Sequence, residues 1–252
     1  MISVAIIGTG NVAKHLFDVF GKSDAVNLTQ VIGRNLDSLK HFGSSTVDIK
    51  NLDQIKETDI YVIAVTDNSI TTVAQVLKNK KGIVAHTSGS VSLNALSKNK
   101  NTGAFYPLQT FSKHRTVDFA EIPICIEANS PKNLEQLEAL GNAISTKVYK
   151  ISSKKRKHLH LAAVFVNNFS NHIYHIANEL CEEHQVPFEI LNPLIQETAA
   201  KVLDNSPFQM QTGPARRNDT KTLKKQLAAL QEGKQKEIYS LLSDSIRKLY
   251  KE

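Results

Sequence analysis

The chain has 252 residues, enough to bury a substantial core and to form two domains. With 41% hydrophobic and 22% charged residues it reads as globular. No apolar run approaches the ~20 residues that span a bilayer, and the short N-terminal apolar stretch lacks the basic region of a signal peptide, so a cytoplasmic protein away from membranes is expected. The formal net charge of +7 comes without tryptophan and without basic residues interleaved with aromatics, which argues against nucleic acid; an anionic cofactor explains part of the charge more economically.

Ile2 to Ile7 is an uncharged, largely β-branched run, the composition of a strand buried on both faces. It leads directly into Gly8-Thr9-Gly10-Asn11-Val12-Ala13, after which Leu16, Phe17 and Phe20 continue at helical spacing. A strand, a glycine turn and a helix follow one another without a gap. Gly8 permits the tight turn, Gly10 leaves room for a pyrophosphate, and Ala13 lets the helix pack on the strand. The first N–H groups of the helix face the anion. This pattern predicts a dinucleotide site contacted by Gly8, Thr9, Gly10, Asn11 and Val12.

Leu28 to Ile32 reads as the second strand and ends in Gly33-Arg34-Asn35. An acidic residue here would bond the adenosine ribose and favour NAD. Arg34, with Asn35 beside it, instead matches a 2′-phosphate, so NADP is expected in preference to NAD. Leu36 to Phe42 reads as a short helix and Val47 to Ile49 as a small strand. Asp59 to Val65 is a strand closed by Thr66-Asp67-Asn68, a helix runs from Ser69 to Leu77, and Gly82 to His86 is a strand followed by Thr87-Ser88-Gly89-Ser90. Ligands of open parallel sheets lie beyond the carboxyl ends of the strands. The turns at Gly8, at Arg34, at Ala64, Val65, Thr66 and Asp67, and at His86, Ser88 and Gly89 are therefore expected to line one crevice. Further strands are predicted at Ala104 to Pro107, Pro123 to Glu127 and Thr146 to Ile151, with a loop from Gln109 to Asp118 and a helix from Asn133 to Ile144.

From about residue 152 helical periodicity replaces strand patterning. Lys154-Lys155-Arg156-Lys157 opens a helix reaching Glu183, and the basic run reads as an exposed face. Ala162, Val166, Phe169, Ile173, Ile176 and Leu180 form an apolar stripe, with Asn168, His172, His175 and Glu179 beside it. A second helix is predicted from Pro187 to Asp204, with Pro193 as a kink or boundary, then a linker from Asn205 to Met210. Gly213-Pro214 fixes a turn. The following Arg216 and Arg217 are either a clamp for a carboxylate or phosphate or an exposed pair. Asp219 or Asn218 caps a helix from Thr220 to Leu230, and a last helix spans Lys236 to Tyr250. Cys125, Cys181 and the histidines form no recognisable ligand set, so no metal is expected.

Gly8-Thr-Gly10-Asn-Val-Ala13, Ala64-Val-Thr-Asp67, His86-Thr-Ser88-Gly89-Ser90, Phe105-Tyr-Pro107-Leu-Gln109-Thr-Phe111, His160 to Phe169 and Thr212-Gly213-Pro214-Ala-Arg216 occur in this order. Over nearly its whole length the chain resembles the Rossmann-like proteins that carry the C-terminal "domain of unknown function 2520". These are related to pyrroline-5-carboxylate reductase, the deazaflavin-dependent NADP oxidoreductases and the β-hydroxyacid dehydrogenases. The resemblance implies NADP or NAD, hydride transfer, and dimers built from helical domains. In the β-hydroxyacid dehydrogenases a lysine and an asparagine on the long helix polarise the reacting oxygen. Here Asn167 and Asn168 lie in the comparable stretch, but Ala163 and Val164 stand where the lysine would be.

The expectation is an α/β fold: an N-terminal Rossmann-like, mostly parallel sheet (residues 1–151) followed by an all-helical domain (152–252) for substrate and homodimerisation. The expected function is NADP-dependent hydride transfer to or from an anionic small molecule. His86, Asn168, His172 and Arg216 are the candidate catalytic residues. The alternative is an NADP-binding sensor or scaffold without turnover.

Overall fold

The uncharged run at the N-terminus forms strand β1 (Ile2–Ile7), and its alternating residues enter two different cores. Val4 and Ile6 pack with Ala13, Leu16 and Phe20 of helix α1 (Asn11–Phe20) on one face of the sheet. Ala5 and Ile7 pack with the other core, on the opposite face. Double-sided burial is why this strand carries no polar residue at its centre. Each fully buried aliphatic side chain contributes about 1.5–3 kcal/mol.

The computed structural model describes residues 1–43, 46–51, 54–113 and 115–250. It divides into two compact units, Met1–Asn167 and Asn168–Glu252. The first is an eight-stranded sheet whose further strands are β2 (Val26–Gly33), β3 (Thr46–Asp48), β4 (Ile60–Ile63), β5 (Ile83–His86), β6 (Thr102–Pro107), β7 (Ile124–Ala128) and β8 (Val148–Lys150). Their order is β3-β2-β1-β4-β5-β6-β7-β8. Pairing is parallel from β3 through β6, antiparallel between β6 and β7, and parallel again between β7 and β8. The expected mostly parallel α/β fold is thus the fold observed. The order reverses between β1 and β4, and this is where a crevice opens at the carboxyl ends of the strands.

Helix α2 (Leu36–Leu39) continues as a 3₁₀ turn over Lys40–Phe42. Helix α3 (Ile70–Val76) inserts Ile70 and Ala74 into the second core, while α4 (Pro131–Asn142) adds Leu137 and Leu140 to the first. The Ser130 side chain caps α4 by accepting from Asn133 N at 3.2 Å, with Pro131 in the first turn, where no N–H is needed.

Helix α5 (Ser153–Ala163) carries the basic run. Lys154, Lys155 and Lys157 are exposed as expected, but Arg156 is completely buried. The expected uniformly exposed basic face is wrong at this one position, because a carboxylate and two carbonyls wait for the guanidinium. The backbone then widens into a π turn over Val164–Phe169. The apolar stripe at 3.6-residue spacing is accordingly broken, and Val166 is 77% exposed.

The second unit contains α6 (Ser170–Glu183), α7 (Asn192–Asp204), α8 (Pro207–Met210), α9 (Thr220–Ala229) and α10 (Lys234–Leu249). Pro193 lies in the first turn of α7, after a 3₁₀ turn over Phe188–Leu191, so it marks a boundary. The segment expected as a linker holds α8, because Ser206 accepts from Gln209 N and Pro207 starts the turn. Asp219 caps α9 by accepting from Thr222 N at 3.0 Å. Among the described residues of this unit only Ala215 and Leu223 are buried apolar side chains.

Candidate functional site

A cleft of about 970 Å³ lies at the carboxyl ends of β1, β2 and β4, at the large end of the range for small-molecule sites. Its floor is fixed by backbone hydrogen bonds between neighbouring strand ends: Ala64 N donates to Ile7 O at 2.7 Å, Gly8 N to Ile32 O at 2.8 Å, and Thr87 N to Ile63 O at 3.0 Å. Gly8 has φ +130°, and a Cβ there would lie 2.1 Å from Ala64 O. Only glycine lets β1 turn this close to the end of β4.

Gly10 is the N-cap of α1 and supplies no side-chain cap, and no acidic residue occupies the first turn. The leading N–H groups of the helix are left for an anion, which the positive end of its dipole favours. A Cβ on Gly10 would meet nothing within 4 Å, so the space beside the helix start is open. The residues fit a dinucleotide pyrophosphate on both counts.

Of the residues singled out from sequence, Gly8, Thr9, Gly10, Asn11 and Val12 line the cleft, as do Arg34, Ala64, Val65 and Thr66. The remaining four stand around it in supporting positions. Asn35 caps α2, its side chain accepting from Ser38 N at 3.1 Å. Asp67 opens a 3₁₀ turn and accepts from the Ser90 hydroxyl. Ser88 Oγ accepts from Ser90 N and Val91 N, each at 3.1 Å. Gly89 is pressed against Tyr106 and His160. Sequence reading missed Lys50, Thr72 and Val76, which also line the cleft. Lys50 follows the small strand β3 and joins Arg34, giving the cleft two exposed cations. Only the pairing of β2 with β3 brings them together.

His86 is fully buried at the end of β5. Its Nδ1 accepts from Ser88 N at 3.2 Å, so the proton resides on Nε2, which has no partner. Burial, reinforced by the nearby Arg156 charge, pushes its pKa down to about 4. The ring is therefore neutral and braces the Ser88 turn from beneath.

Arg156 is a further residue whose place the sequence concealed. Its Nη1 meets Glu127 Oε2 at 2.5 Å, Nε donates to Ser88 O at 3.2 Å, and Nη2 donates to Val91 O at 2.7 Å. Burial opposes the Glu127 charge, but hydrogen bonds from Ser153 and Arg156 outweigh it and hold the carboxyl below its ordinary range. The guanidinium thus ties the 88–91 turn to β7 and α5.

In the second unit, His172 and His175 lie together with ring centroids 6.3 Å apart, and His175 Nε2 is 3.3 Å from Glu179. Asn168 lies in the π turn. Arg216 donates through Nη1 to Gln209 O and Gln211 O and lies over the Tyr250 ring, so part of its donor set already braces its own turn. No three His, Cys, Asp or Glu side chains gather as metal ligands would among the described residues, and no helix among them is long and apolar enough to cross a membrane.

Two family models match the chain in tandem. Residues 3–89 match "NADP oxidoreductase coenzyme F420-dependent", and residues 122–246 match "Domain of unknown function (DUF2520)". A crystal structure from Bacteroides fragilis, designated "putative NADP oxidoreductase BF3122", is 35% identical and superposes with a TM-score of 0.89 over 98% of each chain. The chain belongs to this family of joined oxidoreductase and DUF2520 domains. The motifs from Gly8 to Arg216 had indicated this membership. Protein TM1727 from Thermotoga maritima shares the fold at 19% identity, with a TM-score of 0.80 over 98% of this chain and 99% of its own. A 1-pyrroline-5-carboxylate reductase from Streptococcus pyogenes shares it at 14% identity, with a TM-score of 0.63 over 99% and 98%. No curated protein matches the chain.

Proposed function

We propose that this protein is an NADP-dependent oxidoreductase acting on an anionic small molecule, working in the cytoplasm as a homodimer. The observation that carries the reading is the cleft at the β1/β4 crossover, with the uncapped start of α1 on one side and Arg34 with Lys50 on the other. The N–H groups of Asn11, Val12 and Ala13 hold the pyrophosphate, while Arg34 and Lys50 take the 2′-phosphate as charge-assisted donors. When bound, the nicotinamide supplies or accepts a hydride. Ser88 and Gly89 position its end of the cleft, held in place by Arg156 and His86.

The sheet domain, residues 1–151, serves the cofactor, and residues 152–252 serve substrate and dimerisation. Asn168 and His172 meet the substrate, and the N–H groups of Arg216 not spent on Gln209 and Gln211 bind its anionic group. His86 contributes by support, since a fully buried ring with a pKa near 4 is poorly suited to charge and discharge at neutral pH.

A thermal-shift comparison tests the reading, because a ligand that binds only the native state raises the midpoint with concentration. NADP raises it at lower concentration than NAD, and Arg34→Asp reverses that order. Equal responses to both dinucleotides in the wild type would remove the phosphate assignment. No response to either would remove the cofactor.

A further inference from the structure

Strand β6 ends in a pair of side chains that the cofactor cleft does not account for. Tyr106 Oη and His160 Nδ1 lie 3.0 Å apart, and their rings meet edge to face with centroids 5.9 Å apart. Tyr106 comes from β6 and His160 from α5, so the contact joins two elements 54 residues apart in sequence. Gly89 lies against both. A Cβ on it would stand 2.7 Å from His160 Nδ1 and 2.8 Å from Tyr106 Cζ, so the 88–90 turn can approach the pair only as glycine.

The surroundings tie this pair to the cleft. Tyr106 lies at the carboxyl end of β6, next to the end of β5 from which Thr87 reaches the cleft. Ser90, one residue after Gly89, bonds to Asp67 between cleft residues Thr66 and Asn68. Arg156 holds the same turn through Ser88 O and Val91 O. Tyr106 is only 9% exposed. Burial first, and the neighbouring Cys125 second, push its pKa up to about 12, against the pull of Arg156. The phenol therefore keeps its proton at neutral pH. His160 is only partly buried and gives the pair a route to solvent.

Resting on the oxidoreductase reading above, we propose that Tyr106 is the proton donor for reduction of a carbonyl group at this end of the cleft, and that His160 reloads it from solvent. As hydride reaches the carbonyl carbon, the π electron pair moves to oxygen. Tyr106 Oη–H breaks and its proton forms the new O–H bond. The phenolate then takes the Nδ1 proton of His160, whose Nε2 gains one from water. The sum is carbonyl, reduced dinucleotide and one proton giving alcohol and oxidised dinucleotide. Tyr106 is the catalytic residue in this scheme and His160 a positioning residue that acts through it.

The chain has six tyrosines, so protein labelled with ¹³C at tyrosine Cζ gives few resonances, and Tyr106→Phe identifies the one that matters. Saturating NADP⁺, with occupancy checked by thermal shift, moves the Tyr106 resonance. That resonance also moves in His160→Gln, which removes the imidazole lying 3.0 Å from the phenol oxygen. With glyoxylate and simple aldehydes as probes, Tyr106→Phe slows NADPH oxidation about 10²-fold or more while the NADP⁺ thermal shift stays at the wild-type value. If NADP⁺ binds and the Tyr106 resonance does not move, the proposal is overturned, whether or not the probes turn over. The proposal also fails if Tyr106→Phe reduces the probes at the wild-type rate. If NADP⁺ does not bind at all, the oxidoreductase reading falls, and the donor assignment falls with it.

Discussion

Arg156 Nη1 and Glu127 Oε2 are 2.5 Å apart, and the arginine side chain has no exposed surface. Such a pair is a weak source of net stability, because desolvating both charges offsets their attraction. Removing one partner is costly, because it strands the other. Arg156→Met is expected to lower the unfolding free energy by about 3–5 kcal/mol, read from guanidinium chloride melts. The double variant Glu127→Gln/Arg156→Met should lose less than the sum of the two single changes, since they share one interaction. Additive losses would mean that the two side chains do not act as a pair.

Acid should loosen the same region. His86 has a folded-state pKa of about 4 against an ordinary 6.5, so the unfolded chain binds the proton more readily. Stability from this group is fully present above pH 6.5 and is lost as pH falls through 4. At full expression the difference is worth about 3 kcal/mol. Glu127, held below its ordinary 4.5, acts in the same direction at lower pH: its contribution is present above 4.5 and fades as the carboxyl protonates. Melts recorded from pH 7.5 to pH 4 should show a steep loss in the wild type and a shallower one in His86→Gln. Parallel slopes for the two proteins would reject the assignment to His86.

The cleft at the ends of β1, β2 and β4 was legible in sequence because its parts are local. A strand, a glycine turn and a helix start lie within 20 residues, and the side-chain requirement at Gly8 follows from the turn itself. Arg34 could be read for the same reason, since it directly follows a strand end. Lys50 could not, because its place beside Arg34 depends on the pairing of β2 with β3. The Tyr106–His160 contact and the burial of Arg156 were hidden for a related reason. Sequence shows a basic run at a helix start, but not that one member meets a carboxylate 29 residues earlier. The π turn at Val164–Phe169 has no periodic signature, so a stripe drawn at 3.6-residue spacing ran through it unaltered.

The two glycines of the first turn should separate folding from binding. Gly8 has positive φ, and a Cβ would lie 2.1 Å from a backbone oxygen. Gly8→Ala should therefore cost about 3 kcal/mol or more and weaken the fold itself. Gly10 has φ −77° and open space at its Cβ position. Gly10→Ala should melt within about 1 kcal/mol of wild type yet lose most of the NADP-induced thermal shift, because the added methyl occupies the pyrophosphate path. Retention of that shift in Gly10→Ala would place the dinucleotide elsewhere.

Dimerisation follows as a proposal from how little the second unit buries by itself. Leu203 is 84% exposed and Leu241 71%, with Ile190, Leu194 and Leu249 each above 60%. Scattered surface apolar residues are ordinary, but five large ones between residues 190 and 249 support the proposal of an association surface on this unit. A second copy is the simplest occupant, given that only Ala215 and Leu223 are buried apolar side chains in the described part of that unit. Sedimentation at micromolar concentration should give twice the monomer mass for the wild type. Leu203→Glu/Leu241→Glu should shift the protein toward monomer while the cofactor-induced thermal shift survives, since the cleft belongs to the first unit. A monomeric wild type would exclude the homodimer, and an unshifted dimer in the double variant would move its interface away from these two leucines.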